Sequence, residues 1–115
     1  MGGARQEKPV VFLGDAREAI RAFPDEARRA AGYQIGRVQQ GNDPDDWKPL
    51  TSIGPNVREI RVRDSAGAFR VIYQANLSDA VLVLNAFQKK TQKTPQHEIE
   101  KARARLNEYL KRGSK

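Results

Sequence analysis

The sequence has no cysteine, and with it go disulfides, thiolate metal sites and nucleophilic-thiol chemistry. It has a single histidine, His97, so a histidine-based metal centre would need carboxylate help that is not clustered near it. No apolar run approaches the roughly 20 residues that cross a bilayer. The run at Val10 to Leu13 is too short for a signal-peptide core, and a charged stretch precedes it. A Gly-rich phosphate loop and a nucleophile elbow are missing, and paired carboxylates are scarce in the second half of the chain. These gaps argue against a membrane span, a thiolate or histidine metal site, two-metal phosphodiester cleavage and a phosphate-loop function, and the chain reads as soluble and cytoplasmic.

What is present is positive charge, unevenly placed. The net charge is +7 over 115 residues. Residues 1–50 carry eight Lys/Arg against eight Asp/Glu, whereas residues 51–115 carry thirteen against six, so the whole excess lies in the second half. Such a patch fits a polyanion partner; a solubilising surface is the plainer alternative. The length suits one domain, 1–115, with residues 1–7 expected to be disordered.

The pattern predicts an α+β fold in the order β-α-α-β-β-β-α. Val10 to Leu13 form a short strand. Asp15 with Glu18 has the capping-box spacing for a helix over Ala16 to Phe23. Pro24 is placed as the first residue of a second helix, with Ala27, Ala31, Ile35 and Val38 on one face. Gly32 and Gly36 weaken that helix, which suggests that another backbone approaches closely there. Gly41 ends it, and a long loop with three prolines follows to Asn56. Trp47 anchors the loop, either packing on the domain edge or stacking a nucleobase. Val57 to Asp64, Phe69 to Gln74 and Val81 to Phe87 are predicted as an antiparallel meander, its turns at Ser65–Gly67 and Asn76–Asp79. Thr94 and Pro95 open the last helix, whose stripe is Ile99, Ala102, Leu106, Tyr109 and Leu110. The helical hairpin is expected on one sheet face and the last helix on part of the other.

Alternation puts Glu59, Arg61 and Arg63 on the strand face opposite Ile60 and Val62. Arg70 lies across the tight turn, and Lys89, Lys90 and Lys93 leave the end of the next strand. RNA carries its own nucleophile, the 2′-OH, so its cleavage needs a base, stabilisation of a crowded phosphorane and a proton for the leaving oxygen. Guanidinium groups supply the second, and a lysine crowded by cations, or Glu59, offers the first. DNA lacks the 2′-OH, so a histidine-poor basic site suits RNA better. Each of these residues is also compatible with a solvated surface.

Arg58-Glu59-Ile60-Arg61-Val62-Arg63, Phe69-Arg70-Val71-Ile72-Tyr73, the segment from Ala86-Phe87-Gln88-Lys89-Lys90 to Thr94-Pro95, and Glu98-Ile99-Glu100-Lys101-Ala102 together resemble the phage-derived, HigB-like branch of the RelE/ParE toxin superfamily. The resemblance runs from about Lys8 to Arg112. It implies a small α+β toxin with a curved, mainly antiparallel sheet. It implies a ribosome-dependent mRNA endoribonuclease without cofactor or metal, whose partners are mRNA, the ribosome and a cognate antitoxin, usually of helix-turn-helix type. By the resemblance, Arg61, Arg70 and Lys90, with Lys89 beside it, are the catalytic set; the basic cluster adds Arg63, Lys89 and Lys93 as residues that hold RNA, and Glu59 and His97 are the further acid/base candidates. Glu59 stands where RelE-type members carry a second strand lysine, and no tyrosine stands near the start of the last helix. The superfamily also includes ParE-type gyrase inhibitors that share the fold without the nuclease, and a plain RNA-binding protein is a third reading.

Overall fold

The computed structural model describes residues 7–75 and 80–113. The expected residue-76–79 turn, and nearly all of the expected N-terminal disorder, lie outside them. The elements are β1 (Val10–Phe12), α1 (Ala16–Arg21), α2 (Asp25–Gln39), β2 (Trp47–Pro49), β3 (Val57–Asp64), β4 (Gly67–Gln74), β5 (Val81–Lys89) and α3 (Gln96–Gly113). They build the expected α+β architecture around one five-stranded sheet in the order β1-β5-β4-β3-β2. β1 pairs with β5 in parallel, and the other pairings are antiparallel. No helix among the described residues is long and apolar enough to cross a membrane.

The period-2 patterns of β3, β4 and β5 sort their side chains into two cores. On one face Ile60, Val62, Phe69, Val71, Tyr73 and Val83 pack beneath α1 and α2, which contribute Ala16, Ile20, Phe23, Ala27, Ala31, Ile35 and Val38. The rings of Phe23 and Phe69 meet at 4.7 Å, tilted by 46°. On the other face Val57, Ile72, Leu82, Leu84 and Phe87 pack against Ala102 and Leu106 of α3. β5 is buried from Val81 to Phe87, as its double-sided apolar run requires. Asn85 pairs with Ile72 and Val83 with Tyr73, so Leu84 is the extra residue of a bulge.

Several expectations need correction. The supposed loop contains a strand, β2, whose Trp47, Lys48 and Pro49 face Ile60, Glu59 and Arg58 of β3. Pro49 is tolerated because β2 is an edge strand. Trp47 packs at the domain edge, with the Arg58 guanidinium 4.0 Å from its ring centroid. Asp15 makes no side-chain cap; its carboxylate accepts a hydrogen bond from Arg105 Nη2 at 2.7 Å instead. α1 stops at Arg21, and Pro24 is the N-cap of α2 rather than its first residue. Side chains at Gly32 and Gly36 would meet nothing within 4 Å, so close backbone approach does not explain them. Leu110 is exposed rather than part of the buried stripe. Gly41 does end α2 in the left-handed region, at φ 89°.

Candidate nucleic-acid interface

Strand register fixes where each basic residue stands. Across the α3-side face of the sheet run three rows. The first holds Arg63, Ala68 and Lys89, the second Arg61, Arg70 and Phe87, and the third Lys48, Glu59, Ile72 and Asn85. α3 covers part of this face. Beside it lies an open groove of about 420 Å³ lined by Arg63, Ala68, Arg70, Lys89, Lys90, Thr91 and Gln92.

Arg70 lies on the floor, 4% exposed. Its Nη1 donates to the carbonyl of Phe69 at 3.0 Å. Its Nε lies 3.6 Å from Glu59 Oε1, close enough for charge attraction and too far for a hydrogen bond. Burial, together with the cations of Arg61 and Arg63, pushes the Arg70 guanidinium below the ordinary arginine value; Glu59 opposes this. An arginine so placed is still a cation.

Glu59 is wholly buried. Lys48 Nζ approaches its Oε1 at 3.7 Å, and Thr94 Oγ1 donates to its Oε2 at 2.6 Å. Thr94 thus joins the site instead of showing the expected helix cap. Arg61 is about one-third exposed; its backbone N–H donates to the Asp46 carbonyl at 2.8 Å, and its Nη1 stands 3.8 Å from the Asp46 carboxylate. Lys89 is half-buried, and burial, then the charge of Arg70, lowers its pKa from the ordinary lysine value. Arg63, Lys90 and Lys93 are exposed, and a hydrogen bond from Thr91 Oγ1 to the Lys93 carbonyl at 2.7 Å tightens the arm that carries them.

The fold therefore brings Arg63, Arg70, Lys89 and Lys90 to one groove, with Arg61 and Glu59 adjoining in the rows. His97 belongs to another network. It is largely exposed, with Nε2 3.3 Å from Glu98, whose carboxylate also accepts from Asn85 Nδ2 at 2.7 Å and faces Lys101. Sequence reasoning missed Lys48 and the role of Thr94. A three-residue strand ending in proline is too short for a periodicity signal, and Thr94 had an obvious local reading as a cap. The arrangement can bind a phosphodiester, stabilise charge growing on it and move a proton at its edge.

Residues 18–107 match the model of a family described as phage-derived protein Gp49-like (DUF891). That span holds every residue of the groove. No curated protein matches the chain.

Proposed function

The chain belongs to the phage-derived Gp49-like family, and from that premise we propose that it is the toxin of a type II toxin–antitoxin pair, a metal-independent endoribonuclease that cuts mRNA on the ribosome. The observation that carries this reading is the buried Arg70 on the floor of a basic groove. A guanidinium held in place among other cations is suited to a phosphate that enters the groove.

In this reading the 2′-oxygen attacks the adjacent phosphorus as its proton passes to a base. Arg70 and Arg61 hold the charge that accumulates on the phosphorane oxygens. The bond from phosphorus to the 5′-oxygen breaks, and that oxygen takes up a proton, leaving a 2′,3′-cyclic phosphate and a 5′-hydroxyl. Arg63, Lys90 and Lys93 draw the flanking phosphates onto the groove.

Lys89, which lines the groove beside Arg70, is the base candidate we favour, since burial and the charge of Arg70 lower its pKa from the ordinary lysine value. A base acts when deprotonated, so cleavage should rise with pH through a limb centred below the ordinary lysine value. Lys89→Arg, which cannot lose its proton in this range, should remove that limb; a profile identical to wild type would take the base role from Lys89.

The functional test is induction of the gene alone, with mapping of mRNA 5′ ends. Growth arrest with discrete new ends inside translated codons is expected. Arrest with intact mRNA and blocked DNA supercoiling would instead identify a gyrase inhibitor, and RNA binding without arrest a plain binding protein. The reading also needs a neutralising partner of helix-turn-helix type, drawn by long-range attraction to the basic half. Co-expression of the neighbouring gene should restore growth.

A further inference from the structure

Glu59 has no place in the chemistry above, yet it is the most unusual residue on this face: a fully buried carboxylate with charged or polar groups from three segments converging on it. Lys48 comes from β2, Arg70 from β4 and Thr94 from the arm after β5. Among the described residues only Thr94 makes a hydrogen bond to it. Oε1 lies 3.6 Å from Arg70 and 3.7 Å from Lys48, and neither Oε1 nor Arg70 Nε has a hydrogen-bond partner among the described residues. Two mutually attracted groups are thus held just beyond bonding distance in the interior, where such orphans are costly.

We infer that Glu59 is the positioning residue of the groove, a built-in counter-anion that fixes Arg70 and Lys48 by charge and so sets where the Arg70 guanidinium meets an RNA phosphodiester, and that Thr94 is the latch by which the same carboxylate holds the basic arm over the groove. Glu59 itself touches no substrate. Its charge places the guanidinium, and its bond to Thr94 ties the strand face to the segment carrying Lys89, Lys90 and Lys93. The inference rests on the nuclease reading for its substrate and on the geometry alone for its mechanism.

This division of labour separates turnover from affinity. Glu59→Gln keeps the shape and removes a negative charge beneath the groove. Binding of a single-stranded oligonucleotide made uncleavable by 2′-deoxy substitution should therefore be as tight or tighter. Arg70, no longer held, should be misplaced in the transition state, so kcat should fall about tenfold with KM not raised. Thr94→Val, which loses the hydroxyl at nearly constant volume, also releases the basic arm, so it should lower kcat and weaken oligonucleotide binding together, and Thr94→Ser should restore wild-type behaviour.

The experiment measures, for the full chain and these three variants, kcat and KM on ribosome-bound mRNA, the oligonucleotide Kd, and the nuclear magnetic resonance signal of the Arg70 Nε–H. Expected are a shifted Arg70 signal in Glu59→Gln and Thr94→Val, a wild-type signal in Thr94→Ser, turnover loss without affinity loss in Glu59→Gln, and loss of both in Thr94→Val. The inference is overturned if Glu59→Gln and Thr94→Val leave the signal and kcat unchanged, if Thr94→Ser fails as Thr94→Val does, or if Glu59→Gln loses affinity in step with turnover. Should Glu59→Gln not fold, the two Thr94 variants decide. A wild-type protein that cleaves no ribosome-bound mRNA sinks the nuclease reading, while the Arg70 signal still decides the role of Glu59.

Discussion

Arg70→Ala should lower mRNA cleavage by about 10²–10³-fold, the usual cost of removing one preorganised donor from a developing oxyanion, and should abolish growth arrest on induction. The sequence alone suggests that this variant folds almost normally, since Arg70 reads as a surface phosphate contact. Its burial changes that expectation. Deleting the guanidinium leaves Glu59, wholly buried, with Lys48 and Thr94 as its remaining partners. Breaking a buried pair from one side costs about 3–5 kcal/mol, and the half-open position of Lys48 lets it compensate in part. Stability should therefore fall measurably in chemical denaturation. Arg70→Lys is the needed companion: it keeps the charge over Glu59 and lacks the planar fork that grips phosphate. It should fold better than the alanine variant and still cleave poorly. Full toxicity in a folded Arg70→Ala protein would show the groove to be ordinary surface.

How much of this was legible in the sequence depends on the range of each interaction. Alternation in β3 and β4 gave the correct faces, because a strand's period is local and Ile60, Val62, Phe69, Val71 and Tyr73 obey it without exception. The two-core arrangement followed from β5, apolar on both sides. The failures that bear on the site and on the helix start are cases where the local pattern was overridden by a distant partner. Asp15 fits a capping box, yet bonds Arg105, ninety positions away. Thr94 fits a helix cap, yet bonds Glu59, thirty-five positions back. Lys48 sits among prolines in what looks like loop, and only pairing with β3 sets it opposite Glu59. Arg61, Arg63 and Arg70 were readable as one cluster because a tight turn joins their strands. That Arg70 is buried and Arg63 exposed was not readable, since it depends on how far α3 and the arm reach across the sheet.

Phe69→Ala tests the other face of the same strand and should have the largest effect on stability. The side chain is 1% exposed and its ring rests 4.7 Å from that of Phe23, which closes the helical hairpin onto the sheet. Truncating a buried phenylalanine costs about 3–5 kcal/mol, from lost transfer energy and from the cavity left behind. At roughly 4 °C per kcal/mol for a domain of this size, Tm should drop by about 12–20 °C. Strand geometry makes the contrast with the neighbouring position sharp, because successive side chains point to opposite faces. Phe69 supplies the groove only with its backbone carbonyl, the acceptor for Arg70 Nη1, and alanine retains that group. Below its lowered Tm, Phe69→Ala should therefore cleave mRNA at close to the wild-type rate per folded molecule, whereas Arg70→Lys should be stable and slow. Two adjacent substitutions then report separately on the core and on the chemistry. If Phe69→Ala lost less than about 1 kcal/mol, the hairpin would not be packed on the sheet as a core residue requires. If it lost activity while fully folded, the two faces of β4 would be coupled, and Arg70 could no longer be treated as held from the groove side alone.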